Sequence, residues 1–302
     1  MKEEKQLISQ VGFLEQKEQL IRDFLEYIDV SEKSQKTYEN GLNAFYEYIY
    51  TRNIKKPDRK DIMGFREQIK KHLSISTVNT YMIGVRNFFK WLEYAGIYKN
   101  ITNNVKGVKT GNTHKKEALT REQCKNILKE AKNSREKTIF LLATTCGLRA
   151  NELVNVRLKD FKLKQGVICL YVLGKGRDYK EDFVVVDPKV YEHIKKYVEE
   201  YKITDYLFVS TSNNNKNGKL TTKTVRLIVK NMLKRNGINS TDYSLHSLRH
   251  TFATLSIKDG QDIRSVSQAL RHKSVSTSMI YMHDLEKIEN KCSNSVSSLI
   301  LG

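Results

Sequence analysis

The 302-residue chain carries 53 Lys and Arg against 34 Asp and Glu, a formal charge of +19 at pH 7, and is 39% hydrophobic with 16 Tyr and 11 Phe, which excludes a disordered basic tail. Its apolar stretches, such as Thr138 to Ala143, stop at about six residues where a bilayer span needs ~18, and the opening MKEEKQLISQ has no apolar core, so neither a membrane helix nor a secretory signal is expected and a cytoplasmic location is. Cys124, Cys146, Cys169 and Cys292 are scattered with no CxxC pair, which argues against disulfides and a Cys-rich zinc site.

The first hundred residues read as a helical bundle. Ser31 caps a helix whose apolar positions Tyr38, Leu42, Phe45 and Ile49 recur at helical period. Pro57 introduces a shorter helix from about Asp58 to Lys71. Another runs from about Ser76 to Tyr94, with Val78, Met82, Val85, Phe89 and Leu92 inward, and Gly96 ends it. Residues 104–117 (NVKGVKTGNTHKKE) lose apolar periodicity and combine two glycines with four lysines, Lys106, Lys109, Lys115 and Lys116. They suit an extended linker along a phosphate backbone, and equally an ordinary solvated connection. The expected domains are therefore 1–103, a linker at 104–117, and 118–302. In the second domain helices are expected at 120–132, 135–146 and 149–156. The β-branched or aromatic runs 167–173 and 183–186 then flank the turn-forming GKGRDYKED as a small antiparallel sheet. Helices resume at 188–202, 221–236, 244–259, 262–271 and 276–290, with a short strand at Tyr206 to Val209. The fold class is mainly α with a small antiparallel β-sheet.

Charge is divided unequally. Residues 1–104 hold 17 basic and 14 acidic residues, a net of +3, which leaves 36 and 20, a net of +16, for residues 105–302. A surplus spread over a folded domain points to a polyanionic partner, nucleic acid first, whose released counterions drive association.

Four stretches carry candidate chemistry: GLRANEL at 147–153, LGKGRDYK at 173–180, HSLRH at 246–250 and ALRHKSVSTSMIYMH at 269–283. In HSLRH, Leu245, Leu248, Phe252 and Leu255 share one helix face, so His246, Arg249 and His250 project from another sector. An Arg and a His three residues apart suggest an anion, with forked guanidinium donors beside an imidazole that exchanges protons. Surface residues, or a zinc pair at His246 and His250, are the other readings of that motif. Arg149 lies at a helix start, Lys175 on a hairpin turn between glycines, and Tyr281 nine residues after His272. If these converge, two guanidiniums, an ammonium, imidazoles and a phenol surround one phosphate. Metal-free phosphoryl transfer needs such a set: fixed cations for the equatorial oxygens, a lysine to protonate the leaving alkoxide, and a tyrosine nucleophile. Taken singly, each box has an ordinary structural explanation as a helix start, a hairpin turn or one of sixteen tyrosines.

These boxes, in this order and spacing, resemble those of the tyrosine recombinases, or phage integrase family, in its Xer-type and transposon integrase branch. The resemblance covers most of the chain and implies a helical, SAM-like core-binding domain followed by an α+β catalytic domain. It implies that Arg149 and Arg249 clamp the scissile phosphate, that Lys175 protonates the departing 5′-oxygen, and that His246 assists proton transfer. His272 would bond the phosphate, and Tyr281 would attack to leave a 3′-phosphotyrosyl link. Glu152 occupies the acidic position of the first box, where orienting neighbours is its expected task. One departure stands out. Where the family usually has Leu-Gly-His, this chain has Leu270, Arg271 and His272. A left-handed backbone is expected there, so Arg costs about 1 kcal/mol; Arg271 is expected to be tolerated and to add a phosphate contact, reduced cleavage being the alternative.

The implied function is site-specific recombination without metal, ATP or other cofactor, in integration or excision of a mobile element, with chromosome dimer resolution or DNA inversion by the same chemistry as alternatives. A type IB topoisomerase-like nicking-closing enzyme and a non-catalytic DNA-binding regulator are the competing classes. The implied partners are double-stranded DNA with inverted-repeat core sites, a homotetramer on that DNA, and an accessory excision or DNA-bending protein, in a prokaryotic nucleoid. Candidate DNA contacts beyond the linker lysines and Arg271 are Asn79, Arg86 and Lys90 on the fourth helix and Lys223 and Arg226 on the helix near 221–236.

Overall fold

The computed structural model describes residues 13–109, 117–174, 179–210, 218–238 and 242–272. The chain forms two compact units, residues 1–113 and 114–302.

The first unit is built from α1 (Lys17–Tyr27), α2 (Glu32–Thr51), α3 (Arg59–Lys70) and α4 (Ile75–Tyr94). Each expected start has its cap. Ser31 Oγ accepts from Ser34 N–H, the Asp58 carboxylate accepts from Lys60 and Asp61 N–H in a capping box, and Ser74 Oγ accepts from Thr77 N–H. The core is aromatic, with Phe45 edge-on to Phe65 and Phe89, and Phe24 edge-on to Phe88. Helices α2 and α4 cross closely because glycines face them: a Cβ on Gly41 would lie 3.0 Å from the Tyr81 Cα. Beyond α4 the structure differs from a linker that leaves the bundle at residue 104. Val105 enters the core, Arg86 Nη2 donates to Val105 O (2.7 Å), and Arg66 Nη1 donates to Lys106 O (2.7 Å). Asn79 both donates to Val108 O (3.0 Å) and accepts from Val108 N–H (2.9 Å). The backbone groups of 105–108 thus find partners on the bundle, as groups withdrawn from water require.

The second unit contains α5 (Arg121–Lys129), α6 (Ser134–Thr145), α7 (Ala150–Val154), a 3₁₀ turn (Leu158–Asp160), β1 (Phe161–Lys164), β2 (Val167–Val172), β3 (Asp182–Val185), α8 (Pro188–Tyr201), α9 (Thr222–Arg235), α10 (Leu245–Lys258) and α11 (Ile263–Ala269). The α6 segment TIFLLA is buried all round, which suits a central helix; it packs against α8, α9 and α10. The sheet is antiparallel in the order β1-β2-β3, with Phe161 opposite Leu170 and Leu170 opposite Val184. Strand β1, FKLK, was not expected: beyond Phe161 it is exposed, and an edge strand held by backbone pairing leaves no apolar alternation to read. Tyr206 and Val209 form isolated bridges, to Arg157 and Lys219, rather than a strand. The helix expected at 276–290 lies outside the described residues. No described helix is long and apolar enough to cross a membrane.

Candidate active site

The site forms where three local structures meet: the turn between α6 and α7, helix α10, and the C-terminal end of α11. Gly147 takes φ +58° in the turn, with Leu148 fully buried behind it, so Arg149 emerges at a fixed place. Arg249, on α10, does not project from the surface. It is 1% exposed, and its guanidinium bridges the other two elements, with Nη1 donating to Gly147 O (2.5 Å) and Nη2 to Leu270 O. A buried guanidinium costs heavily unless its N–H groups are bonded, so these carbonyls fix its orientation. The apolar count of α10 does not reveal this, because helix α11 covers the sector from which Arg249 was expected to project.

Arg149 is held in turn by Glu152, which is 2% exposed at its side chain. Glu152 Oε1 accepts from Arg149 Nη1 (2.7 Å), while its Oε2 accepts from the Arg149 N–H (2.8 Å) and from Arg271 Nη2 (2.7 Å). Burial raises the Glu152 pKa, but the charge of Arg271 and the bonds and charge of Arg149 outweigh it and hold the carboxyl below its ordinary value. Helix α7 is a single short turn of five residues, so the expected help from a helix dipole at Arg149 is small and the carboxylate does the positioning.

Arg271 departs from expectation. It does adopt the left-handed backbone, φ +55°, just after the Leu270 cap of α11. Its side chain is 7% exposed, donates to Ala269 O and Glu152, and turns inward. It therefore engages a carboxylate of this chain, a contact that the sequence did not suggest.

The imidazoles share this cationic field. Loss of hydration, then Arg249 and Arg149, lower the His246 pKa; loss of hydration, then Arg249, Arg149, Arg271 and His246, bring His272 down to about 4. His250, edge-on to His246 with ring centroids 4.6 Å apart, is brought to about 4 by loss of hydration, then by His246, Arg249 and His272. Among the described residues no group of His, Cys, Asp and Glu is placed to hold a metal ion. Arg249 bonds the carbonyls of Gly147 and Leu270, and Glu152 joins Arg149 to Arg271, so the residues of the first, third and fourth boxes occupy one site. Depressed histidines make the fold acid-sensitive. The unfolded chain takes up these protons first, so the stabilisation is complete above pH 6.5 and lost as the pH falls towards about 4. The thermal midpoint is expected to fall across that window, and His250→Gln is expected to flatten the fall; calorimetry at graded pH checks it.

Lys175 and Tyr281 lie outside the described residues, as do Lys115 and Lys116. Lys180, in the same box as Lys175, pairs with the buried Asp160 carboxylate and donates to Asn155 O (2.6 Å), which ties the chain entering β3 to the 3₁₀ turn. Lys90, Lys106, Lys109, Lys223 and Arg226 are exposed. Asn79 and Arg86 are half-buried and engaged with residues 105–108. Sequence reasoning missed the Arg271–Glu152 pair, the carbonyl anchors of Arg249 and the Lys180–Asp160 pair. Each joins residues 20 or more apart, and no local pattern marks such a contact.

Residues 117–287 match the model of the phage integrase family, and residues 21–96 match that of the phage integrase N-terminal SAM-like domain. The chain is 31% identical over 275 residues to tyrosine recombinase XerH of Campylobacter jejuni, covering 84% of this chain and 76% of that protein. It is 29% identical over 269 residues to tyrosine recombinase XerA of Pyrococcus horikoshii, covering 87% and 88%. Among solved structures it resembles the XerH site-specific recombinase bound to a palindromic difH substrate (TM-score 0.74, 24% identity, 92% and 85% covered). It also resembles the Tn1549 transposon integrase in complex with transposon right end DNA (TM-score 0.68, 16% identity, 87% and 93% covered). With its helical unit, its small antiparallel sheet and its paired arginines in place, the chain belongs to the phage integrase family, the tyrosine recombinases, which are DNA strand-transferring enzymes.

Proposed function

We propose that this protein recombines two specific duplex DNA sites by cutting and rejoining strands, in the integration or excision of a mobile element. What supports the reading is the bonding of Arg249 to the Gly147 and Leu270 carbonyls and of Arg149 and Arg271 to Glu152, which joins the segments that bear Arg149, Arg249 and His272. Arg249 is locked by two carbonyls and Arg149 by a buried carboxylate, so both are oriented before substrate arrives, and preorganised charge is what stabilises the pentavalent transition state. In the proposed step the Tyr281 oxygen attacks the scissile phosphorus, Lys175 gives its proton to the departing 5′-oxygen, and a 3′-phosphotyrosyl link conserves the ester for rejoining. His246 assists the proton movements and His272 bonds the phosphate. The fixed cations take the part of a divalent ion.

Lys90, Lys106, Lys109, Lys115, Lys116, Lys223 and Arg226 supply phosphate contacts, and four protomers assemble on paired inverted-repeat sites. Binding is expected to weaken steeply with salt, about one counterion per phosphate contact, because +16 of the net charge lies from residue 105 onward. Nearly flat binding between low and moderate salt contradicts this mode.

The test is an SDS quench. Incubation with the duplex ends of the element, in EDTA, is expected to give a protein–DNA adduct, with the DNA mapping to the tryptic peptide that contains Tyr281. No adduct on a bound site overturns the reading. Relaxation of one plasmid without joining of two sites assigns the chemistry to a nicking-closing enzyme instead.

A further inference from the structure

The Glu152 carboxylate is shared by two guanidiniums of unequal exposure. Arg149 is 33% exposed at its side chain and faces the site, whereas Arg271 is 7% exposed and faces inward. Glu152 itself is 2% exposed. A phosphate that engages the outer donors of Arg149 competes with Glu152 for its charge, and a buried carboxylate whose cation is shared away is strongly penalised. With Arg271 in place Glu152 keeps a cation throughout, and the three groups together carry one net positive charge instead of none. Arg271 is also held in an unfavourable backbone conformation, φ +55°, a strain that persists only where surrounding contacts fix it. The following residue is His272, whose N–H donates to Ser267 O (3.1 Å), so the bond from Arg271 to Glu152 also ties the end of α11 to the turn bearing Arg149.

We infer that Arg271 is a positioning residue: it holds the Glu152 carboxylate, and through it Arg149, in place against the scissile phosphate, and it does so without touching DNA. The inference rests on the recombinase reading above. Its consequence is specific: loss of Arg271 slows cleavage of bound DNA and spares binding.

The test is a double-mutant cycle on single-turnover adduct formation with a nicked suicide duplex. Wild type, Arg271→Gly, Glu152→Gln and the double variant are compared at saturating DNA, with affinity measured separately. Glycine relieves the left-handed strain, so the first variant is expected to fold. It should lose about tenfold or more in rate at unchanged DNA affinity, and in the Glu152→Gln background the same change should cost less than about twofold, since coupled residues are not additive. Equal losses in both backgrounds overturn the inference. So does a variant with weakened DNA affinity and a shallower salt dependence but normal cleavage once bound, which is the mark of a phosphate contact. Should the glycine variant be unfolded, Arg271→Lys against Arg271→Gln decides: the charged variant is expected to be several-fold faster, and equal rates overturn the inference. Absence of any wild-type adduct is a separate result, which removes the recombinase reading itself.

Discussion

Arg249→Ala is expected to abolish detectable adduct formation and to lower stability at the same time, a combination that surface cations do not show. The catalytic part follows from charge: removing one preorganised donor to a developing oxyanion costs about 10²–10³ in rate, and Arg249 supplies a full charge as well. The structural part follows from burial. Arg249 is 1% exposed, and its removal leaves the carbonyls of Gly147 and Leu270 without those donors, at about 1–3 kcal/mol each, together with a cavity where the side chain lay. Arg249→Lys keeps a charge but cannot fork between two carbonyls, so it is expected to recover part of the stability and little of the rate. Thermal unfolding alongside single-turnover cleavage checks both halves. An Arg249→Ala protein of wild-type stability means that the guanidinium does not bridge the two elements.

Gly147→Ala is the second large effect, and it needs no contact with DNA. A Cβ at this position would lie 2.6 Å from Leu270 Cδ2, and φ +58° adds about 1–2 kcal/mol of backbone strain for any residue with a Cβ. Something must shift: the Leu270 side chain, which is fully buried and has little room to turn, the turn that carries Arg149, or the α11 end that carries Arg271 and His272. Destabilisation of about 2–4 kcal/mol is expected, combining that strain with overpacking of a filled core. Cleavage by the folded fraction should fall as well, because misplacement by an ångström is costly at a phosphoryl-transfer centre. Gly166→Ala is the control: φ is +79° there, but a Cβ meets nothing within 4 Å, so strain alone is felt and cleavage is expected to be unchanged. Equal effects at both positions remove the steric argument.

The helical bundle was legible because its caps and apolar spacing are local. Ser31 begins its helix as its side chain dictates, Asp58 and Ser74 cap the two helices expected from about residues 58 and 76, with Pro57 just before the cap and not in the first turn, and the stripe Val78, Met82, Val85, Phe89, Leu92 is buried throughout. The order of the four boxes, and the charge surplus after residue 104, likewise stand in the chain itself. Edge strand β1 escaped because its pairing uses backbone groups that every residue has. Residues 105–108 read as free linker because the bonds that hold them come from Asn79, Arg86 and Arg66, which from sequence alone pass for outward-facing polar positions.

The amino-acid sequence by itself determined which side chains are available for phosphoryl transfer and which helices carry them, since caps, periodicity and residue chemistry are fixed within a few positions along the chain. Only the tertiary structure decided what each charge does. Whether a guanidinium faces solvent, a backbone carbonyl or a buried carboxylate depends on packing between elements far apart in sequence. Arg249 and Arg271, the same residue type and both within candidate boxes, are thereby assigned to two carbonyls and to Glu152 respectively.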